Sequence, residues 1–156
     1  MQLFLNLSNH PSAGWSEAQR QAAMALIQKH GSSCRDDGQT PPENFGEWPA
    51  NEDSTGDCRG TGAGIVDLPF PNVDPKATSG DIATLADTQI ERLRQAGLKS
   101  GDIVHVMGEL TLTYQIVRRL KSLGITCVAA TTERIVTTQP DGKKLSEFHF
   151  IQFRPY

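Results

Sequence analysis

The sequence predicts a three-layer α/β domain built around a mostly parallel sheet of about five strands. Two observations predict it: short apolar segments alternate with amphipathic ones in the order βαβαβαββ, and 156 residues suit one domain over positions 1–156. Parallel neighbours need helical crossovers, so this alternation places helices on both faces of the sheet. The last two strands follow each other directly, so the C-terminal strand is expected to be antiparallel.

The first strand and helix are defined by their spacing and their caps. Apolar residues alternate over Leu3–Leu7, which predicts a short strand, and Ser8–Ser12 then forms a polar turn. Ser16 is a credible N-cap for a helix over about residues 16–30, because its hydroxyl accepts from free amides of the first turn. Gly31 ends this helix.

A Gly-, Pro- and acid-rich segment at about residues 31–64 interrupts this pattern. It contains no Leu, Ile, Val or Met before Gly64, so it cannot offset its ordering entropy by burial, and we interpret it as an insertion loop. A zinc site from His30, Cys34 and Cys58 is an alternative, but the segment has no CxxC pair.

The remaining elements follow from apolar runs and turn residues. The predicted elements are a strand over Ile65–Leu68, a helix capped by Thr78 or Ser79 and ended by Gly97, a strand over Ile103–Met107, a helix ended by Gly124, a strand over Ile125–Ala130, and a last strand containing Phe148–Phe153 after the turn Pro140–Gly142. Together they indicate a Rossmann-like domain.

Composition excludes several classes of protein. No apolar run reaches the roughly 20 residues of a membrane span, and the amino-terminal residues lack a basic region typical of secretion signals. Three cysteines do not make a disulfide framework, so we expect a reduced, cytoplasmic protein. The net charge of −3 argues against binding of duplex nucleic acid. Residues 118–156 nevertheless carry seven bases against three acids, which suits a small anionic ligand.

Ligands of such sheets bind outside the carboxyl ends of the strands. Three polar stretches are predicted to lie there: Ser8–Ser12, Met107–Thr111 and Thr131–Arg134. Gly108 would let a ligand approach the backbone, and the helix that follows offers free amides to an anion. The candidate ligand-binding residues are Ser8, Asn9, Ser12, Gly108, Thr111, Thr131, Thr132 and Lys144; the candidate catalytic residues are His10, Glu109 and Arg134.

Familiar nucleotide and hydrolase motifs are absent from the sequence. No G-x-G-x-x-G follows the first strand, and Gly60–Gly64 precedes a strand instead of joining strand to helix. There is no P-loop lysine pattern and no nucleophile elbow.

Simpler roles compete for several candidates. His105 lies inside an apolar strand and is expected to be a core histidine, and an acid at the position of Glu109 also suits the role of a helix cap. Arg134 has acidic neighbours with which it can form a surface ion pair, and Lys144 on its turn is solvated by default.

Seven short motifs, taken together, resemble the compact CARF-like ring nucleases of type III CRISPR systems. The motifs are Phe4–Ser12, Trp15–Ser16, Asp67–Pro71, Val73–Pro75, Val106–Tyr114, Ala130–Arg134 and Phe148–Tyr156, and the likeness covers nearly the whole chain apart from about residues 31–62. The resemblance implies a homodimeric antiviral-defence protein that binds a cyclic oligoadenylate messenger, expected to be cyclic tetra-adenylate, and linearises it. It implies no metal and no other cofactor.

The resemblance also implies roles for the candidate residues. A ribose 2′-hydroxyl would attack the adjacent phosphate in line and leave a 2′,3′-cyclic phosphate. Arg134 and Lys144 would stabilise the phosphorane, and His10 would relay a proton to the 5′-oxygen. Glu109 and Thr111 would hold a ribose or an adenine edge; Asn9, Ser12, Thr131 and Thr132 would fix the ligand backbone.

Two other functions remain open at this point. A protein of the same fold can bind the messenger as a sensor or sponge without cleaving it. A Rossmann-like domain can also bind an ordinary mononucleotide and act as a regulatory module.

Overall fold

A computed structural model describes residues 2–31, 64–140 and 142–156. The elements are β1 (Phe4–Ser8), α1 (Glu17–Gly31), β2 (Ile65–Pro69), α2 (Ser79–Gln95), β3 (Ile103–Met107), α3 (Leu110–Ser122), β4 (Thr126–Thr138) and β5 (Lys144–Pro155), with a 3₁₀ turn at Ser12–Gly14 before α1. Residues 32–63 and the side chain of His30 lie outside this description. The predicted insertion loop and the candidate zinc ligands therefore lie outside the described residues.

The strands form one sheet in the order β2-β1-β3-β4-β5. The first four of these are parallel, and β5 pairs antiparallel with β4. The predicted mixed α/β, Rossmann-like architecture is confirmed, including the antiparallel C-terminal strand. None of the described helices has the length and apolar character needed to cross a membrane.

Helices cover both faces of the sheet because side chains alternate along β1. Leu5 and Leu7 pack into the larger core beneath α2 and α3. Phe4 points to the opposite face and packs with Trp15 and Ala23 in a second core beneath α1. All five side chains are buried. This alternation, with a period of two residues, is what makes three layers.

The predicted caps set the helix ends. The backbone N–H of Gln19 donates to the Ser16 hydroxyl at 3.2 Å, so Ser16 caps α1 as expected. Thr78 caps α2 in a reciprocal capping box with Asp81. Gly97 and Gly124 follow α2 and α3 with φ of +94° and +71°, a conformation that glycine adopts without strain.

The two C-terminal strands are longer than the sequence analysis predicts. Thr131–Arg134 was expected to follow β4 as a loop, but β4 runs through it to Thr138, and β5 begins at Lys144. β-branched residues sustain strand structure after burial has ended, which explains the difference. We call residues 131–138 and 144–152 the arm, because they pair with each other beyond the last residues that β4 pairs with β3.

Candidate ligand site at the carboxyl edge of the sheet

The order of the strands defines where a ligand is expected. From β1 the chain passes to β2 on one side and then crosses to β3 on the other, so the strand order reverses between β1 and β3. In doubly wound sheets, ligands occupy the crevice at this switch point. The loops that follow β1 and β3 contain two of the three predicted polar stretches.

A row of polar residues crosses the sheet just below this edge. Asn6 of β1 is in register with Asp67 of β2 on one side and with His105 of β3 on the other. Asn6 and His105 are 1–2 % exposed. Buried polar groups are costly unless they are hydrogen-bonded, so their partners explain why they are there.

Both the oxygen and the nitrogen of the Asn6 side-chain amide form hydrogen bonds. Its Oδ1 accepts from the Ser8 hydroxyl and from His105 Nδ1, both at 2.8 Å. Its Nδ2 donates to the His10 carbonyl at 2.9 Å and to Asp67 Oδ1 at 2.7 Å. The four bonds lock three strands and the β1–α1 loop to one side chain.

His105 is neutral and belongs to the core. The backbone N–H of Ala130 donates to its Nε2 at 3.3 Å, so the proton of the neutral ring is on Nδ1, which donates to Asn6. Burial, followed by the nearby charge of His10, lowers the pKa of His105 to about 4. Trp15 and Phe153 pack edge-on against the ring. The expected core role of His105 agrees with this environment.

The backbone of His10 is held rigidly while its side chain is exposed. Its carbonyl accepts from Asn6 Nδ2 and from the Trp15 indole, the latter at 3.0 Å, with a longer contact from the Ser8 hydroxyl at 3.2 Å. Its N–H donates to Ser8 Oγ at 3.1 Å. The backbone is fixed at the switch point, and the exposed imidazole that it carries is available to a ligand.

Ser8 and Ser12 hold this loop through hydrogen bonds inside the fold. Both are 4 % exposed. The Ser12 hydroxyl donates to Asp67 Oδ2 at 2.7 Å, and the Ser12 N–H also bonds the Asp67 carboxylate. The structure therefore places these two predicted ligand-binding hydroxyls in internal hydrogen bonds. Asn9 is exposed beside them.

In the loop after β3, the carboxylate of Glu109 already accepts hydrogen bonds from the free amides at the start of α3. Glu109 is the N-cap of α3: its carboxylate accepts from the backbone N–H of Thr111 at 3.0 Å and of Leu112 at 2.8 Å, and from the Thr111 hydroxyl at 2.7 Å. These bonds, led by the one from Leu112, lower the pKa of Glu109. An ionised carboxylate at the helix N-terminus repels a phosphate and has no proton to donate. The predicted anion site there is already filled.

Gly108 has a packing reason to be glycine. A Cβ at this position would lie 2.3 Å from the Phe70 ring, which is 5 % exposed. The close approach to the backbone is therefore made by Phe70 and not by a ligand, which corrects the reason given for Gly108 above.

A groove of about 450 Å³ lies between the N-terminal turns of α2 and α3, lined in part by Ile82, Leu110 and Tyr114. Thr78 and Asp81 cap the α2 side, and Glu109 caps the α3 side. Two carboxylates at its ends disfavour a phosphate.

The remaining candidates lie on β4 and the arm. Thr131 donates its hydroxyl to the Gln152 carbonyl at 3.1 Å, while Thr132 is exposed. Arg134 bonds Ser146 Oγ through Nη2 at 2.9 Å and Nε at 3.3 Å, and its guanidinium lies 6.0 Å from the centre of the Phe148 ring. Three of its five N–H donors are thus not used by any residue the structure describes.

The structure does not bring all the candidates together within one chain. His105 pairs with Val128, so Ala130 is level with the end of β3, and Arg134 lies four residues further along β4. At roughly 3.3 Å per residue it projects about 13 Å beyond the edge where His10 lies. Lys144 pairs with Thr138, another four residues further out, on the same face of the arm as Arg134. The arm therefore needs a large ligand, or a second chain, to act together with His10.

The fold and this edge define the class: a doubly wound α/β domain with its candidate site at a topological switch point. More particularly, the chain belongs to the family described as the uncharacterized protein MJ1673 family, whose model matches residues 52–154. No curated protein and no solved structure matches the chain. The family description names no activity, so the functional argument depends on the residues.

The polar row is not among the sequence-based predictions, although the strands carry a signal for it. The third residue is polar in each of the three strands Phe4–Ser8, Ile65–Pro69 and Ile103–Met107. Polar residues at matching positions of parallel strands become neighbours when the register aligns them. The predicted first strand begins at Leu3, so the register that places Asp67, Asn6 and His105 side by side comes from the structure.

Proposed function

We propose that this protein binds a cyclic oligoadenylate, with cyclic tetra-adenylate as the first candidate, and linearises it as a ring nuclease in type III CRISPR defence. The observation that carries the proposal is the exposed His10 imidazole on a backbone fixed by Asn6, Ser8 and Trp15 at the β1–β3 switch point. The motif resemblance supplies the substrate class, and Arg134 and Lys144, on one face of the arm, supply positive charge beyond the same edge.

The protein's main contribution to the proposed reaction is to hold the reacting atoms in the correct geometry. The 2′-oxygen of one ribose forms a bond to the neighbouring phosphorus while the bond from that phosphorus to the 5′-oxygen breaks. The products are a 2′,3′-cyclic phosphate and a free 5′-hydroxyl. Holding the three atoms in line converts a slow internal reaction into a fast one, since orientation alone is worth several kcal/mol, about 7–11 at best.

His10 and Arg134 take the chemical roles in this proposal. His10 donates a proton to the departing 5′-oxygen, for which an exposed imidazole on a rigid backbone is suited. Arg134 stabilises the charge on the phosphorane through the donors that Ser146 leaves unused. Asn9, Thr132 and Lys144 are exposed and contribute to holding the ring.

Glu109 has a positioning role instead of a catalytic one. Its carboxylate holds the first turn of α3 and the Thr111 hydroxyl in place. The same bonds keep it ionised, so it cannot serve as the general acid.

A second candidate function is binding without cleavage. It is favoured by one observation: Arg134 lies well beyond the edge that carries His10, so a single chain does not place both groups at one phosphate. A sensor or sponge needs only the binding residues.

The deciding experiment mixes purified protein with cyclic tetra-adenylate and EDTA and resolves the products by chromatography and mass spectrometry. We expect linear products ending in 2′,3′-cyclic phosphate. A ring that survives hours at micromolar protein while still bound would replace the nuclease by the binder. Stabilisation by ATP or another mononucleotide, without stabilisation by the ring, would favour a mononucleotide-binding module.

His10→Ala tests the site assignment. Its turnover is expected to fall at least a hundredfold while the thermal midpoint is retained, because the backbone bonds of residue 10 do not involve the imidazole. Arg118→Ala, an exposed arginine on α3 away from the arm, is the matched control with unchanged turnover. Full activity of His10→Ala would remove His10 from the mechanism.

A further inference from the structure

The arm leaves large apolar side chains exposed. Phe148 is 66 % exposed, Ile151 56 % and Leu145 46 %, and β4 adds Ile135 and Val136. A two-stranded ribbon is only marginally stable by itself in water. Exposed apolar surface concentrated on one ribbon is typical of a surface that another chain covers.

β5 is also an unpaired edge. It lies last in the sheet order, and no strand of the described residues pairs with its outer side. Natural proteins protect such edges with lysines, prolines or bulges. In the arm segment of β5, such features occur only near its two ends. Lys144 is the first residue of β5, and near the other end a register shift leaves Ile151 without a direct partner on β4. The stretch between them, Leu145–Phe150, has no lysine, no proline and no bulge.

We propose that the outer edge of β5 pairs antiparallel with the β5 edge of a second copy of this chain, about a twofold axis at Phe148. The segment between Lys144 and Gln152 is centred on Phe148, and an isologous interface requires that the same segment be complementary to its own reverse. With this register, Phe148 faces Phe148 of the second copy.

The sequence of β5 meets this requirement. The register opposes Glu147 of one copy to His149 of the other, which pairs an acid with a base on both sides of the axis. It also brings the apolar residues Leu145 of one copy and Ile151 of the other to the same end of the paired segment. Opposite charges and apolar pairs directly across two strands each contribute roughly 0.2–1 kcal/mol, and like charges there destabilise. Glu147 and His149 already contact each other at 3.3 Å within one chain, so both lie on one face.

The pairing would bring the candidate ligand-binding groups of the two arms side by side. Arg134 lies opposite Phe148 within each chain, so the four strands place two Arg134 side chains and two Phe148 rings in one line on one face. Three strand spacings separate the Cα atoms of the two Arg134 residues by about 14 Å. Phosphates on opposite sides of a ring would meet one arginine each, and bases would stack on the rings. This consequence rests on the proposed function, whereas the pairing itself does not.

The test uses the full chain without nucleotide. Sedimentation equilibrium is expected to give twice the 17.0 kDa chain mass at micromolar concentration. His149→Glu alone should weaken the dimer at least tenfold, because it opposes Glu147 of each copy to a second carboxylate. Glu147→Lys alone should also weaken it, because it removes both Glu147–His149 pairs. The double variant Glu147→Lys/His149→Glu should recover affinity to within threefold, which a general loss of folding would not allow. A monomeric native chain, or no recovery in the double variant, overturns the proposal.

Cysteine cross-linking tests the register. In a background with Cys34→Ser and Cys58→Ser, which retains the buried Cys127, Phe148→Cys should form a disulfide-linked dimer under mild oxidation. Residues directly opposite on antiparallel strands have Cα separations of about 4.5–5.5 Å, within disulfide range. Ser146→Cys is the control, since its own counterpart lies about 13 Å away. Equal cross-linking of the two variants overturns the register. Because no nucleotide is present, failure of the nuclease proposal leaves both results unaffected.

Discussion

The polar row of Asp67, Asn6 and His105, which we call the floor of the switch point, and the arm belong to one sheet, but they use their polar groups in opposite ways. On the floor, Asn6 makes four hydrogen bonds, and both ring nitrogens of His105 have partners. On the arm, Arg134 keeps three donors that no described residue uses, and Phe148 stands largely in solvent. The floor therefore fixes the geometry of the sheet edge, whereas the arm presents unused donors and exposed side chains, which our proposals assign to a ligand and to a second chain.

Removing the floor's central amide should have the largest effect. Asn6→Leu leaves the buried His105 N–H without an acceptor and breaks the link to Asp67, so we expect the free energy of unfolding to fall by about 3–4 kcal/mol in urea titrations. Asn9→Leu, on the exposed neighbour, should change it by less than about 0.5 kcal/mol. A loss below about 1 kcal/mol for Asn6→Leu would mean that the floor is not the scaffold.

Removing the arm's guanidinium should affect activity and spare the fold. Arg134→Ala is expected to lower the cleavage rate of cyclic tetra-adenylate about 10²–10³-fold, the usual cost of deleting a donor to a developing oxyanion. Its urea midpoint should match that of the native chain, because the side chain is exposed. Unchanged cleavage in Arg134→Ala would contradict the division of labour between floor and arm.

The pH dependence of stability should come in part from the floor. His105 has a pKa of about 4 in the folded chain, below its ordinary value near 6.5, so the unfolded chain binds the proton first as pH falls. Stability is therefore lost between about pH 6.5 and pH 4, by about 3 kcal/mol.

His105→Gln isolates this contribution. Burial raises the pKa of Asp102, which changes stability in the opposite direction over part of the same range, so the native chain alone does not report on His105. The difference in unfolding free energy between the native chain and His105→Gln should shrink as pH falls from 6.5 to 4. A constant difference across that range would show that His105 is not a buried neutral base.

The smallest effect is expected at Glu109. Glu109→Gln removes the charge that caps α3, so the thermal midpoint should fall measurably while turnover stays within about threefold of the native rate. A much larger loss of turnover in a folded variant would return Glu109 to the catalytic residues.

The fold was largely predictable, and the reason is periodicity. The strands Phe4–Ser8 and Ile103–Met107 are short and apolar, and Gly97 and Gly124 mark the ends of the helices before β3 and β4. Local patterns of this kind determine element type. They do not show where a strand continues into solvent, which is why the extension of β4 through Arg134 was missed.

The candidate site was less predictable because hydrogen bonding decides which polar side chains are free. In the sequence, nothing distinguishes the polar residues Ser12, Thr111 and Glu109 from Asn9 and Thr132. In the structure, the side chains of the first three form hydrogen bonds within the chain. Only the register of β1 and β2 shows that Asp67, which anchors Ser12, lies beside Asn6. Spacing along the sequence carries no such information.

Calorimetric titration with a cyclic tetra-adenylate that carries fluorine in place of each 2′-hydroxyl is the most direct test. The analogue lacks the attacking oxygen, so binding is measured without cleavage. A site shared by two arms predicts half a ring bound per chain, and loss of most affinity in Arg134→Ala. One ring per chain, or affinity unchanged by Arg134→Ala, would contradict the account.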